Sequence, residues 1–400
     1  MHRRCDYLII GAGIIGVNIA REIKNQHPNS IIIIIDKENE FAFHSSGRNS
    51  GVLHAGFYYK PESLKAKFTM LGNRALTNYC DTNGLAINKC GKVVVTQNEL
   101  ELDTLEELFQ RGKTNDSDIV MVDKQELNEL EPYAKTYEKA IYSPHTSTVN
   151  PKQIMLHMID SLKLCEGIDI IAGDGYKSLI NSSTVLTSKG MTIEAGFIIN
   201  TAGLYADKIA KDFGFSKKYV IIPFKGIYLK YTGSDIKIKR NIYPVPNISN
   251  PFLGVHFTVT ADQIIKIGPT AIPVFWREGY KRFDNFKFNE FLSTLFWESK
   301  LLLKNSFNFR ELAIEEMKKY NRQHLLGLAS NMVTNLNLDK FDTWSIPGIR
   351  AQLLHKETLE LVQDFVIEGD KNSVHVLNAV SPGFTCSIPF SKWIVDNYIK

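Results

Sequence analysis

Between residues 7 and 36 the chain writes a strand, a glycine turn, a helix and a second strand with almost nothing to spare. Residues 7–10 read as a short strand that opens into Gly11-Ala12-Gly13-Ile14-Ile15-Gly16. Residues 17–25 read as a helix, broken by His27-Pro28-Asn29, and residues 31–35 are five consecutive isoleucines ending at Asp36. An apolar β-branched run without alternation fits a parallel strand covered on both faces. Gly11 permits the tight turn, Gly13 lets a pyrophosphate approach the backbone, and Gly16 permits close helix–strand packing. The helix N-terminus offers amides and positive dipole to a phosphate. Asp36, twenty residues beyond Gly16, can accept two ribose hydroxyl bonds and would repel a 2′-phosphate. Ile14, Ile15 and Lys37 flank this cradle and join the cofactor-binding set. The competing reading is a glycine-rich turn with no ligand. The fingerprint alone does not separate FAD from NAD, although its place at the start of the chain leans towards FAD. No second glycine fingerprint for a nicotinamide partner follows.

Composition narrows the class. Lys and Arg number 47 against 43 Asp and Glu, a net charge of +4 without a long basic block, so a nucleic-acid partner is not called for. The five cysteines (Cys5, Cys80, Cys90, Cys165, Cys386) are scattered without a CxxC pair. That argues against a disulfide scaffold or metal ribbon and for a reducing compartment. No run of 18 apolar residues is present, and no signal peptide is expected.

Further along, helices are expected over 65–83, 99–112, 126–131, 151–165, 204–213, 286–304, 309–328 and 390–398. Strands are expected over 92–96, 193–200, 226–230, 253–260, 263–267 and 375–378. With no repeat or linker in view, the domains are expected to interleave. Residues 1–75, 146–222 and 340–400 would form a discontinuous nucleotide-binding domain, and 76–145 with 223–339 a substrate-binding domain. The fold class is α/β with an α+β substrate domain: a Rossmann-type core interleaved with an antiparallel sheet.

Ser45, Ser46, Arg48, Asn49 and Ser50 form a short polar stretch after the βαβ unit, able to satisfy phosphates and ribityl hydroxyls; a solvated loop is the plainer reading. Thr201-Ala202-Gly203 follows a buried strand as a sharp turn of small residues that permits close ligand approach. His54 sits among small residues that can bring its imidazole against a flat ring, or it is a satisfied structural side chain. His256 lies in an apolar strand-like tract; burial should keep it neutral and ready to take a proton. The competing reading is a core histidine bonded to backbone.

The segment Phe43-His44-Ser45-Ser46-Gly47-Arg48-Asn49-Ser50-Gly51-Val52-Leu53-His54-Ala55-Gly56 resembles the L-2-hydroxyglutarate oxidase/dehydrogenase family, within the D-amino-acid-oxidase-like flavoproteins. The likeness continues through Tyr58-Tyr59-Lys60-Pro61, Pro223-Phe224-Lys225-Gly226, Pro251-Phe252-Leu253-Gly254-Val255-His256-Phe257-Thr258, Arg277-Glu278-Gly279-Tyr280 and His375-Val376-Leu377-Asn378-Ala379, in order along nearly the whole chain. One departure is Phe384, where the family pattern has a small residue; it would narrow the space near a flavin and touches substrate range.

The resemblance implies one FAD, with hydride passing from C2 of L-2-hydroxyglutarate to flavin N5 and 2-oxoglutarate as product. It implies His54 beside the isoalloxazine, Thr201–Gly203 at the dinucleotide, and Gly383 and Ser387, ahead of the closing helix, near the pyrimidine edge. A dicarboxylate substrate needs fixed donors: Arg277 is the fork-shaped candidate, Tyr280 adds a hydroxyl, and Lys225 approaches substrate or flavin. Electrons would pass to quinone or oxygen. An amine or amino-acid oxidase of the same superfamily and a non-catalytic flavin-binding interaction protein are the alternatives. A cytoplasmic body is expected, with peripheral contact to the inner membrane through the tract 275–283 and the helix around 291–303, unless that helix is core.

Overall fold

The computed structural model describes residues 1–247 and 252–399, so Pro251 of the quoted motif lies outside the described residues. The chain divides into two compact units. The first comprises Met1–Asn49, Pro151–Ile222 and Arg350–Lys400; the second comprises Ser50–Asn150 and Pro223–Ile349.

In the first unit the isoleucine-rich strand Ile32–Asp36 lies between His2–Ile10 and Ile168–Ala172, parallel to both. On the other side of His2–Ile10 runs Thr192–Asn200, also parallel, whose C-terminal end pairs with Ser373–Asn378. Leu8, Ile9, Ile33, Ile34, Ile198 and Ile199 are fully buried, so successive residues on each strand are covered on opposite faces. That explains the absence of alternation in the sequence. Helices Ile14–Gln26 and Pro151–Lys163 supply cover, the second through Ile154, Met155, Met158, Ile159 and Leu162.

In the second unit an eight-stranded sheet runs Phe341–Trp344, Leu229–Tyr231, Ile265–Gly268, His256–Val259, Asn241–Pro244, Lys92–Val95, Ala140–Ser143, Val120–Val122. It is antiparallel except at its centre, where Asn241–Pro244 runs parallel to Lys92–Val95. The antiparallel sheet expected for this unit is present with one parallel pair at its centre, whose two strands come from separate chain segments, so no hairpin fixes their direction. Side-chain alternation then splits the core. Val93 and Val95 pack with Ile242, Phe257 and Leu229, while Val94 packs with Tyr243, Phe57 and Leu105 on the opposite face. Lys92 falls on the Val94 face and is fully buried.

Four expectations change. Residues 50–75 belong with the second unit, because Val52–Leu53 pairs with Ser147–Val149 and Phe57 and Met70 pack against Val94 and Tyr243. The helix expected over 309–328 is two, Phe309–Lys318 and Arg322–Ser330; Asn321 caps the second, accepting hydrogen bonds from the amides of Gln323 at 2.9 Å and His324 at 3.4 Å. The strand expected over 226–230 is interrupted, Tyr219–Gly226 ending before Leu229–Tyr231 begins. The closing helix starts at Gly383, not at residue 390, and carries Pro389 inside it, so Gly383 and Ser387 lie within its first turns instead of ahead of it. Proline removes an internal hydrogen bond, yet the helix continues through Pro389.

Helix Phe288–Lys304 is turned inside out. Its buried residues are Glu290, Thr294, Glu298 and Leu301, while Phe288, Leu292, Phe296 and Leu303 are exposed. Burial pushes the Glu298 carboxyl up to about 8, so it is neutral at pH 7. Between about pH 4.5 and 8 the unfolded chain loses a proton that the folded chain keeps, and stability falls as pH rises. Glu298→Gln removes that slope. Its urea midpoint should exceed that of wild type by a margin that grows from pH 5 to pH 8, and a pH-independent difference would contradict the assignment.

Candidate functional site

The glycine turn of the first unit is held by backbone approach. An added Cβ at Gly16 would lie 2.2 Å from the Gly11 carbonyl oxygen, and one at Gly11, whose φ is +106°, would lie 2.7 Å from the carbonyl oxygen of Thr201. Both glycines are therefore required by the protein's own packing. Gly13 differs: its Cβ would meet only the Ser46 hydroxyl, at 3.2 Å. The helix that follows has no acidic residue in its first turn and no side-chain cap at Gly13. A positive, uncrowded helix end is what a pyrophosphate needs.

The other predicted residues gather around this turn. Thr201 donates its backbone N–H to Ile10 O at 2.9 Å and its hydroxyl to Gly11 O at 3.0 Å, and Ala202 and Gly203 follow it. Ser46 Oγ accepts the Ile14 amide at 3.0 Å, and Asn49 ties the polar loop to itself by donating to Ser45 O at 2.9 Å. The Arg48 guanidinium lies 4.2 Å from the centroid of Phe43. Asp36 accepts the amides of Ala12 at 2.8 Å and Glu38 at 2.9 Å, one on each oxygen. It thereby shapes the loop while each oxygen retains a second lone pair. Lys37 pairs with Glu38 and lies over Tyr205. Ile15 is tied to the closing helix, its carbonyl accepting from Ser391 Oγ at 3.3 Å. In that helix Ser387 has a buried hydroxyl without a hydrogen-bond partner among the described residues, and a Cβ on Gly383 would make only ordinary contact. The open face at Gly13, the uncapped helix end and the unspent Ser387 hydroxyl fit a flavin dinucleotide.

The second unit holds a buried cluster of bases. His54 and His256 are 5% and 2% exposed. Asn73, from helix Leu64–Thr82, fixes the backbone at His54, its Nδ2 lying 3.0 Å from Leu53 O and 3.1 Å from His54 O. His256 Nδ1 is 2.8 Å from Gly254 O. A carbonyl only accepts, so Nδ1 carries the hydrogen and Nε2 of the neutral ring is the basic atom. The His256 ring stacks on Tyr243 at 3.7 Å and 15°. Burial pushes the His54 imidazole down to about 3, and the positive potential of Lys92 and then of His256 adds to it. Lys92 is 4.4 Å from the ring centroids of Phe57 and Tyr58 and 4.9 Å from that of Tyr243. Ser50 is spent locally, its hydroxyl accepting the Val52 amide at 3.3 Å.

Arg277 and Tyr280 are 3% and 6% exposed, so neither is a solvated surface group. Lys225 is half-buried on a strand paired with Ile272–Pro273, and burial lowers its pKa. His375, by contrast, is a structural histidine. It is fully buried between Phe213 and Phe215, with Nδ1 at 3.1 Å from Asn200 Nδ2 and Nε2 at 3.1 Å from Ser373 Oγ. Sequence reasoning missed Lys92, Tyr243 and Asn73. The one available signal was a lysine opening an all-valine strand, which alone reads as an edge residue.

The family model for FAD-dependent oxidoreductases matches residues 6–397. The chain is 34% identical over 395 residues to L-2-hydroxyglutarate dehydrogenase of an Escherichia coli strain, covering 98% of this chain and 92% of that protein. It is 33% identical over 412 residues to the human mitochondrial L-2-hydroxyglutarate dehydrogenase, covering 98% and 88%. Among solved structures, L-α-glycerophosphate oxidase from Mycoplasma pneumoniae with FAD bound superposes with a TM-score of 0.77 at 22% identity, covering 99% of this chain and 95% of that one.

Because packing does not demand Gly13, Gly13→Val separates cofactor loss from misfolding. The purified variant should carry at least about tenfold less flavin per chain, since its side chain occupies the space over the helix end. Its far-ultraviolet circular dichroism should match that of wild-type apoprotein. Stoichiometric flavin in the variant would contradict the cradle.

Proposed function

This chain belongs to the FAD-dependent oxidoreductases and, within them, to the L-2-hydroxyglutarate dehydrogenase family, and on that footing we propose that it oxidises the C2 hydroxyl of L-2-hydroxyglutarate to give 2-oxoglutarate. The observation that carries the chemistry is the 2.8 Å contact between His256 Nδ1 and Gly254 O, which sets the tautomer. With Nδ1–H committed to Gly254 O, Nε2 presents a lone pair from a ring immobilised on Tyr243. A base of this kind takes the hydroxyl proton as the C2–H bond breaks with its electron pair and the C2 carbonyl forms.

Gly11, Gly13 and Gly16 with the polar loop and Thr201–Gly203 would hold the dinucleotide, and Gly383 and Ser387 would face the flavin. Bound FAD supplies the hydride acceptor. Arg277 recognises a carboxylate through its planar fork, with Tyr280 and Lys225 as further donors. His54, kept free of a proton by burial, orients the substrate without adding a charge.

As electron acceptor we propose quinone or oxygen, a quinone being reached through peripheral membrane contact. Support comes from the inverted helix Phe288–Lys304. Phe288, Phe296 and Leu303 are 62%, 52% and 77% exposed, and Lys287, Lys300 and Lys304 lie among them. An apolar face rimmed by lysines suits the interface of an anionic membrane. No described helix is long and apolar enough to cross one.

His256→Asn should keep FAD and fold yet slow flavin reduction by roughly 10²–10⁴-fold in rapid mixing. His54→Asn is the control. Should that variant abolish reduction while His256→Asn stays near wild type, the base is His54. Arg277→Ala should reduce kcat/KM by about 10²-fold, the loss of a buried charge-assisted pair of about 2–5 kcal/mol. A value unchanged from wild type would place the guanidinium outside the site. For the membrane face, Phe288→Ser with Leu303→Ser should cut sedimentation with anionic phospholipid vesicles by at least about fivefold. Sedimentation equal to wild type would dismiss it.

A further inference from the structure

Among the buried ionisable groups that the proposed chemistry does not use, Lys92 lies beside the proposed base. Lys92 is fully buried on the central strand of the second unit's sheet, and its Nζ has no hydrogen-bond partner among the described residues. What surrounds it is aromatic: Phe57, Tyr58 and Tyr243, each with its ring centroid within 5 Å of Nζ. Three ring faces stabilise an ammonium through their quadrupoles but do not neutralise it. Tyr243 is also the ring on which His256 stacks, and Lys92 acts electrostatically on His54. Lysine is among the side chains least often fully buried without a pairing charge. Its burial here carries a cost in stability, a departure of the kind found at functional sites.

We propose that Lys92 is a positioning residue for proton transfer: its caged ammonium holds the imidazoles of His54 and His256 in their proton-accepting form. The inference rests on the reading of His256 as the base. The cluster contains three bases, and a positive charge on one opposes a second charge on either of the others. Burial sets Lys92 at about 7 and His54 at about 3, so a proton entering as pH falls goes to Lys92 before His54. Among the described residues, the other ionisable groups that act on this cluster include Tyr58, Tyr228 and Cys90 on Tyr243, Tyr59 on Tyr58 and Arg240 on Cys90; the two phenols Tyr58 and Tyr243 are held protonated by burial. Cys90 is also raised by burial. Tyr58, Tyr243 and Cys90, held protonated by burial, do not cancel the ammonium's field.

Lys92→Met keeps the length and apolar stem and removes the charge. The cage should tolerate it: a buried lysine set near 7 costs the folded state increasingly as pH falls from 10.5, and the variant escapes that cost. Two measurements on the holoprotein test the proposal. The first is nitrogen-15 NMR of the histidine side chains between pH 5 and 8 without substrate. In Lys92→Met an imidazole should begin to protonate at least about one pH unit higher than in wild type. The second is the pH profile of flavin reduction by L-2-hydroxyglutarate. Its acidic limb should move up by the same amount, so that on that limb the variant is up to about tenfold slower than wild type, with the deficit shrinking as pH rises. A cage of purely structural value predicts changed thermal stability with both imidazole titration and acidic limb unmoved, and that result overturns the proposal. Imidazole titration that moves without the acidic limb supports the electrostatic role of Lys92 and instead sinks His256 as the base. If Lys92→Met fails to fold, wild type still decides: the His54 and His256 signals should shift as Lys92 titrates near 7, and signals indifferent to that titration overturn the proposal.

Discussion

The first unit depends on how closely Gly16 can approach Gly11 and Thr201. A side chain at Gly16 would sit 2.2 Å from the Gly11 carbonyl oxygen and 2.6 Å from Thr201 Oγ1, so helix, strand end and the later turn meet without room for a methyl group. Three stretches far apart in sequence are joined there. The start of the chain supplies the turn, the strand Thr192–Asn200 delivers Thr201, and the closing helix reaches Ile15 through Ser391. Gly13 stands in the same motif for another reason. It is the glycine that the fold does not need, and its open side is what remains for a phosphate.

That division explains which parts of the molecule were readable. The βαβ unit was legible because its signals are local: spacing of glycines, a broken helix, five isoleucines, an aspartate at the right remove. The interleaving of two units was legible from the order of elements, but the limits were not. Residues 50–75 carry no local mark that sends them to the second unit. Their assignment follows from Phe57 and Met70 packing on Val94 and Tyr243. The split at Asn321 has a local cause, an asparagine cap, which a run of helix-forming residues on both sides concealed. The closing helix, expected from residue 390, begins at Gly383.

The site was half legible in the same sense. His54 and His256 could be singled out as types and as part of a resemblance, but their common cluster with Lys92 is a property of sheet order. Lys92 becomes central because Asn241–Pro244 and Ala140–Ser143 pair on its two sides. A strand that opens with lysine and continues with three valines gives no hint of that. Helix Phe288–Lys304 misleads in the opposite direction. Its phenylalanines and leucines suggest a core face, yet Glu290 and Glu298 point inward and the aromatic residues outward. In both places local consistency is given up, at a buried cation and at an exposed apolar face, the kind of exception that functional sites carry.

Substrate oxidation by a single buried base next to an uncancelled cation is a narrow claim, and the flavin's own colour reports on it. Anaerobic titration of the holoprotein with L-2-hydroxyglutarate, D-2-hydroxyglutarate and L-glutamate follows loss of the oxidised flavin bands with each compound in turn. The L-hydroxy acid should bleach the flavin stoichiometrically and yield 2-oxoglutarate, while its enantiomer and the amino acid leave the spectrum oxidised. Bleaching by L-glutamate with release of ammonia, and none by the L-hydroxy acid, would contradict the account.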